Sequence, residues 1–312
     1  MPFDYLIIAT GFTYEFYVKD ENATSIGDRL NGFKQFYEKC QAAKSILVVG
    51  AGIAGIEILG ELVDKWGESK KIGICAKGSR LLPHSHPKAH PLVHQFFTER
   101  NVNIHYETAY SDGFAEANGY ELVINCKGQT YKSDFMRTHF ASSIAPSGEI
   151  YINDQMQVTD VDPRKHGIAP PVKENVFCVG DISFSSLNEE KNIHNAFILV
   201  PTAIQNILDH ASGKRPQRSI PSSIPTINMI SLGSVYGISV MNGLVKLDKE
   251  VGTRKSGFIR HLPAIYRGDE VLRAEQKKRM AGFLRFFSCV TCCCCCCPCS
   301  NCFTIIKKGH TR

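Results

Sequence analysis

The sequence predicts an α/β fold built on a parallel sheet, and three observations predict it. An apolar run, Ser45–Gly50, passes directly into a glycine-rich turn and an apolar-periodic helix. The alternation then continues through Lys71–Cys75, Ala89–Glu99 and Val102–Tyr106, a strand–helix–strand–helix–strand series of the kind that closes a parallel sheet. Hydrophobic residues make up 43% of the 312 positions and charged residues 21%, which is enough apolar matter for a packed core. The length suggests roughly two domains.

Each element follows from its local pattern. Phe3–Ala9 is apolar enough to belong inside a sheet, and it ends in Ala9-Thr10-Gly11. Residues 12–30 read as loop, and Leu30–Lys44 as a polar helix. Ser45–Gly50 is a strand, and Gly52–Lys65 a helix with Ile53, Ile56, Leu59, Leu62 and Val63 on one face. Residues 119–126 and 129–134 read as a hairpin turning at Lys127-Gly128. Short strands follow at Glu149–Ile152 and Asn175–Val179, then an apolar helix at Asn192–His210. Met229–Leu232 and Ile238–Met241 are strands of a smaller third unit, and residues 254–287 are helical and basic.

Charge divides the chain. Residues 251–312 hold twelve Lys/Arg and three Asp/Glu, a balance of +9, so the first 250 residues carry −3 of the total +6. A near-neutral body excludes nucleic acid as its partner, and a basic tail fits an anionic surface. Nine of thirteen cysteines lie in the tail. The other four, Cys40, Cys75, Cys126 and Cys178, are isolated and read as buried thiols, so no redox-active Cys pair is expected in the body. No basic leader precedes an apolar segment, so no signal peptide is expected, and no apolar run reaches the length of a membrane span.

The chemistry concentrates at Gly50-Ala51-Gly52-Ile53-Ala54-Gly55. Gly50 permits the tight turn, Gly52 lets a pyrophosphate reach the backbone, and Gly55 lets helix and strand pack closely. The phosphates then meet free N–H groups at a helix N-terminus. A dinucleotide site follows. The next strand ends without the acidic residue that holds an adenosine ribose and offers Lys77 and Arg80 instead. Either they meet a 2′-phosphate, favouring NADPH over NADH, or they are solvated loop charges. Glu57, in the first turns of the helix, is a candidate catalytic-site carboxylate facing the nicotinamide. The alternative is a carboxylate stabilised by the helix dipole. His84, His86, His90 and His94 cluster, but interleaved prolines and the absence of an intervening carboxylate make them a surface loop leading into a helix, and no metal is expected.

Ala9-Thr10-Gly11 before this unit, and Glu174–Asp181 after it, complete a motif order. In that order the sequence resembles the pyridine-nucleotide-disulfide oxidoreductase superfamily, in its apoptosis-inducing-factor-like and type II NADH dehydrogenase branch, over about residues 3–243. The resemblance implies Rossmann-like FAD- and NAD(P)-binding domains, the nicotinamide domain (45–135) inserted in a flavin domain (1–44 and 136–210). A small C-terminal region (211–250) and a tail (251–312) would follow. It implies FAD and NAD(P)H as cofactors, with hydride passing from NAD(P)H to FAD and electrons on to a quinone or other small acceptor. Ala9, Thr10 and Gly11 match the strand–turn near the flavin's adenosine-diphosphate end. Asp181, given room by Gly180, matches the aspartate that bonds the ribityl chain. Lys191 opens the helix pointed at the flavin ring, with His194 beside it, and is the second candidate catalytic residue. The segment from Pro225 to Gly237 matches the C-terminal strand region used for dimer or membrane contacts.

Two departures bear on this. The flavin domain's own Gly-rich turn has no counterpart, so that domain is expected to be partial. Met136–Ser147 replaces an expected second Gly-containing turn. A non-catalytic nucleotide-binding or interaction protein that has lost FAD is therefore an alternative reading. In the tail, Lys277, Lys278, Arg279 and Arg285 flank Phe283, Leu284, Phe286 and Phe287. Cys289, Cys292, Cys293, Cys294, Cys295, Cys296, Cys297, Cys299 and Cys302 follow. Cations, interfacial aromatics and clustered thiols read as an S-palmitoylated segment that holds the chain on the cytoplasmic face of a membrane. A metal-binding Cys tail is the alternative. Six consecutive cysteines suit a tetrahedral site poorly.

Overall fold

Ser45–Val49 (β3) is buried along its whole length, and that burial organises the first core. The computed structural model describes residues 3–13, 23–165, 169–187 and 191–253. The basic approach 254–287, every cysteine from Cys289 to Cys302, His166 and the side chain of His194 lie outside the described residues. Preceding β3 are the strands Leu6–Ile8 (β1) and Phe12–Thr13 (β2) and the helix Ile26–Ala42 (α1). A strand with no exposed residue needs both faces covered and a neighbour on each edge. Ile53–Trp66 (α2) covers one face, Lys71–Cys75 (β4) pairs with one edge, and Leu122–Asn125 (β6) pairs in parallel with the other. Ala89–Thr98 (α3) leads to Asn103–His105 (β5), which pairs with β4. The sheet order is β5-β4-β3-β6, all parallel. Alternation sorts the side chains. Ile46 and Val48 join Ile56, Leu59 and Leu62 of α2, whereas Leu47 and Val49 join Ala115 of Phe114–Ala117 (α4) and Tyr120 on the opposite face.

The expected hairpin at 119–134 does not form. β6 enters the parallel sheet, and Thr130–Tyr131 (β7) instead pairs antiparallel with β2. Gly128, at φ 71°, turns the chain as expected. Ile124 is too apolar for a solvent-facing ribbon and takes an edge of the buried sheet.

The stretch read as a separate third unit shares the first core. Ile227–Leu232 (β11), Tyr236–Met241 (β12) and Leu244–Asp248 (β13) form an antiparallel sheet, the last strand missed by the sequence reading. Ile230, Leu232, Ile238 and Val240 pack with Ile46, Ile56 and Leu59, so α2 lies between two sheets. Close approach requires glycine on both sides. A Cβ on Gly60 would stand 2.5 Å from the Gly233 nitrogen, and one on Gly233, at φ 83°, would stand 2.8 Å from the Asp64 Cβ. Gly60→Val is expected to force sheet and helix apart and cost about 1–3 kcal/mol, read as a lower urea midpoint at unchanged m.

A second core gathers segments from both sides of this unit. Arg137–Phe140 (α5), Ile150–Tyr151 (β8), Val176–Cys178 (β9), Ser183–Phe184 (β10) and Ile193–Ala211 (α6) supply it. Ile8 joins Met136, Ile150, Ile152, Phe177, Cys178, Leu199 and Ala203 there. β1 pairs in parallel with β9, Ile8 opposite Cys178, and β8 pairs with β10. Asn206 fastens α6: its amide donates to the Gln155 and Arg218 carbonyls at 2.9 and 2.7 Å, and its oxygen accepts from the Arg218 N–H at 3.0 Å. β1 is shorter than the expected Phe3–Ala9. It has β9 as its one strand neighbour among the described residues, and Ile7 is 51% exposed.

Candidate functional site

The Gly-rich turn follows β3, and each glycine has a distinct steric duty. Gly50 adopts φ 109°, and a Cβ there would lie 2.9 Å from the Cys126 carbonyl oxygen. Gly55 packs so tightly that its Cβ would come within 1.8 Å of the Gly50 oxygen. Gly52 is different: a Cβ there would meet nothing within 4 Å. It caps α2 in extended backbone with no side chain bonded to the helix end, so the turn presents bare backbone to open space at a helix N-terminus.

The loop after β4 closes over this turn. The Leu82 N–H donates to the Ala51 carbonyl at 2.8 Å, with Leu82 itself at φ 52°, and Leu81 and Leu82 are fully buried. Lys77 is exposed. Arg80 turns into its own loop, where its guanidinium approaches the Pro83 and Ser85 carbonyls at 3.4 and 3.5 Å. The Arg80 Nε and the Ser85 Oγ are both buried without a hydrogen-bond partner. Of the two cations read as phosphate ligands, one faces water and one is folded back.

The histidines serve this loop. His90 Nδ1 accepts the Leu81 N–H at 3.1 Å, His94 Nδ1 is bonded to the Tyr106 hydroxyl at 2.7 Å, and the rings of His90, His94 and Tyr106 pack together. Burial first, then the nearby His94 and Arg80, hold the His90 pKa below the ordinary histidine value. The folded pKa is thus below the unfolded one, so stability is intact above about pH 6.5 and is lost as pH falls toward the lowered value. From about pH 7 to about pH 5, amide protection at Leu81 and Leu82 is expected to weaken. His90→Gln should flatten part of that dependence in exchange rates corrected for intrinsic pH effects. His105, lowered by burial and then by Lys71, supplies a second contribution to global stability.

Glu57 is placed differently from the expectation of a nicotinamide-facing carboxylate. Its Oε1 accepts the Ser231 N–H at 3.2 Å, and Asp64, two helical turns on, accepts the Ser234 N–H at 3.0 Å. The two carboxylates tie α2 to β11 and the turn after it. No local signal at Glu57 announces a partner 174 residues away.

The second constellation assembles at the ends of paired strands. β1 and β9 are parallel and in register, so Ala9-Thr10-Gly11 and Val179-Gly180-Asp181 leave the same end of the pair, the carboxyl end where α/β sheets place ligands. The Thr10 hydroxyl donates to the Lys132 carbonyl at 2.8 Å, and the Lys132 N–H donates to the Gly11 carbonyl at 3.2 Å. Gly180 sits at φ 76° with open space where a Cβ would project, and Asp181 lies in the short 3₁₀ turn Gly180–Ile182. Residues 134–143, where the resemblance expects a second Gly-containing turn, form short helical turns. Lys191 is engaged within the fold beside this turn. Its Nζ stands 3.1 Å from Glu149 Oε1 and donates to the Ser183 carbonyl, while Glu149 Oε2 accepts from the Ser147 hydroxyl at 2.9 Å. Glu149, which the sequence reading passed over, is 8% exposed. Its signal was a lone carboxylate at the mouth of an apolar strand.

The body's four cysteines are buried free thiols, as expected. Burial pushes Cys40 up to about 11 and Cys126 up to about 12, so neither is a thiolate at neutral pH. No described helix is long and apolar enough to cross a membrane.

The family model described as pyridine nucleotide-disulphide oxidoreductase matches residues 1–206. The chain is 27% identical over 278 residues to apoptosis-inducing factor homolog A of Dictyostelium discoideum, covering 78% of this chain and 64% of that protein. It is 26% identical over 261 residues to ferroptosis suppressor protein 1 of Xenopus laevis, covering 78% and 66%. It spans just under two thirds of the length of these curated relatives. Among solved structures, the covalent complex of putidaredoxin reductase and putidaredoxin is similar over 77% of this chain and 57% of that one, with a TM-score of 0.52 at 15% identity, a likeness of fold.

Proposed function

The chain belongs to the pyridine nucleotide-disulphide oxidoreductase family, and on that footing we propose that it is an NAD(P)H oxidoreductase whose dinucleotide lies on the Gly50–Gly55 turn. The observation that carries this reading is the contrast among the three glycines. Two are fixed by the fold's own sterics, and the third, Gly52, faces open space at the head of α2, where a diphosphate needs bare N–H groups. The residues present therefore fit a nicotinamide dinucleotide. Lys77 and Arg80 follow β4 in place of the acidic residue that would hold an adenosine ribose, which favours NADPH over NADH. Arg80 would exchange its two carbonyl contacts for the 2′-phosphate.

The described residues fit FAD at one end only. Gly180 and Asp181 leave room for a ribityl chain, and Ala9-Thr10-Gly11 lies beside them. A second strand–Gly-turn–helix for the flavin's diphosphate is not found among the described residues. A flavin held there would supply the hydride acceptor and the relay to a quinone or other small acceptor. The role of this chain's own residues is to hold and orient the dinucleotide and exclude water from it. The exposed Ile7 on β1 favours a second reading, nicotinamide binding without flavin. We place the chain on the cytoplasmic face of a membrane through acylation of Cys289, Cys292–Cys297, Cys299 and Cys302, as a homodimer.

Hydrogen exchange with NADH or NADPH at millimolar concentration tests the first claim. Protection of Gly50–Glu57, stronger with NADPH, is expected, and no protection by either overturns the oxidoreductase reading. Flavin absorbance of the purified chain separates the two cofactor readings. Hydroxylamine-sensitive palmitate labelling, lost on replacing the tail cysteines, tests acylation.

A further inference from the structure

The Gly-rich turn faces a second wall, and a cation stands on it. In the order β5-β4-β3-β6 the chain winds outward from β3 through β4 to β5, then returns to lay β6 on β3's other edge. Such a reversal opens a crevice at the carboxyl ends of the strands, where open α/β sheets hold their ligands. Here the Gly50–Gly55 turn leaves β3 on one side of it, and Cys126-Lys127 leaves β6 on the other. The walls touch at their base. The Cys126 N–H donates to the Val49 carbonyl at 2.8 Å, and a Cβ on Gly50 would lie 3.2 Å from the Lys127 nitrogen. Gly128 then turns the chain away, so Lys127 is the last side chain on this wall.

Exposed lysines are ordinary, and the placement of this one is what matters. Its backbone is fixed, because its N–H donates to the Asn125 side-chain oxygen at 3.1 Å. Its ammonium stands 5.3 Å from the centre of the half-buried Tyr110 ring, and among the described residues no carboxylate pairs with it. Burial pushes the Cys75 thiol up, and the Lys127 charge pulls against that push, so the ammonium acts across the carboxyl edge as far as the end of β4. A cation over a partly exposed ring is weakly held, and an ion pair with a diphosphate is stronger. The direction of a bound dinucleotide follows from the turn. The adenosine ribose lies at the end of the second strand, β4, and the diphosphate at the helix N-terminus. The β6 wall therefore faces the diphosphate and the half of the molecule beyond it.

We propose that Lys127 is a diphosphate-binding residue of the dinucleotide site, its ammonium leaving the Tyr110 ring for the phosphates held at Gly52. This role rests on the dinucleotide reading of the Gly50–Gly55 turn. It differs from the role of Lys77 and Arg80. Those cations address a 2′-phosphate that NADPH alone carries, whereas the diphosphate is common to NADPH, NADH and ADP-ribose.

Calorimetric titration of the full chain and of Lys127→Gln with NADPH, NADH and ADP-ribose tests it. The variant is expected to bind all three about tenfold more weakly, with a shallower dependence on salt. Lys127→Arg should keep most of the affinity, and both variants should melt with the parent because the side chain is exposed. Equal binding of all three by the parent and Lys127→Gln overturns the proposal and leaves the dinucleotide reading standing. A loss confined to NADPH would put the ammonium on the 2′-phosphate, and a loss for both nucleotides that spares ADP-ribose would put it on the nicotinamide. Either result overturns the proposal. A parent that binds none of the three, with Gly50–Glu57 unprotected from exchange, fails at the dinucleotide reading itself and takes this role with it.

Discussion

Gly52→Val is expected to lower affinity for NADPH and NADH about 100-fold while costing the fold less than about 1 kcal/mol, whereas Gly55→Ala is expected to cost about 3 kcal/mol of stability. The two substitutions lie three residues apart in one motif, yet the structure separates their consequences. The backbone at Gly52 is extended, at φ −75° and ψ −177°, which any residue adopts, and nothing lies within 4 Å of an added Cβ. A valine there obstructs only what approaches from outside. If a diphosphate does so, one or two charge-assisted hydrogen bonds of about 1.5–3 kcal/mol each are lost, which corresponds to the affinity change expected. At Gly55 the obstruction is internal: a Cβ 1.8 Å from the Gly50 oxygen can be relieved only by moving the helix from the strand. Nucleotide titration followed by thermal unfolding of both variants tests the pair. A Gly52→Val protein that binds both nucleotides as tightly as the parent removes the dinucleotide from this turn, whatever Gly55→Ala does to the melting temperature.

The sequence made this turn legible because its information is local. Ser45–Val49 and Lys71–Cys75 form where the runs of apolar residues lie, and α2 begins one residue after Gly52. β3 and β4 are buried on both faces, so their hydrophobicity is unbroken and their boundaries are sharp. What was illegible depends on partners far along the chain. β7 was read as the return of a hairpin because Lys127-Gly128 is a good turn, but which strand β7 pairs with is decided by Phe12 and Thr13. β13 carries charges at Lys246 and Asp248 on its open side, and only pairing with β12 makes it a strand. The antiparallel sheet was read as a unit of its own because no local pattern shows that Gly60 and Gly233 are small in order to meet. The same limit applies at the site. Chemistry carried by one residue's conformation, as at Gly50, could be read. Chemistry carried by a pairing, as at Glu57 with Ser231, could not.

Lys191 shows that limit most clearly, and it carries the other large effect. The resemblance made it a catalytic candidate at the head of the helix aimed at a flavin. The structure holds its ammonium against Glu149 at 3.1 Å, with the two side chains 14 and 10% exposed. Removing one partner from such a pair strands the other charge in a poorly hydrated place, so Lys191→Met alone is expected to destabilise the protein by about 3–5 kcal/mol, and Glu149→Leu by a similar amount. Replacing both removes the stranded charge. Glu149→Leu/Lys191→Met is expected to recover most of the loss, less about 1 kcal/mol for the Ser147 hydroxyl and Ser183 carbonyl left without these partners. Urea unfolding of the four proteins completes the cycle, and a double variant as unstable as the sum of the singles would falsify the coupling. The same double variant then separates architecture from chemistry. β8, which follows Glu149, pairs with β10, which follows the turn holding Asp181, and the ion pair fastens β10's first carbonyl to that neighbouring strand. If stability returns and NADPH oxidation returns with it, Lys191 acts by holding that turn in place. If stability returns and oxidation does not, the ammonium itself is needed at the reacting end.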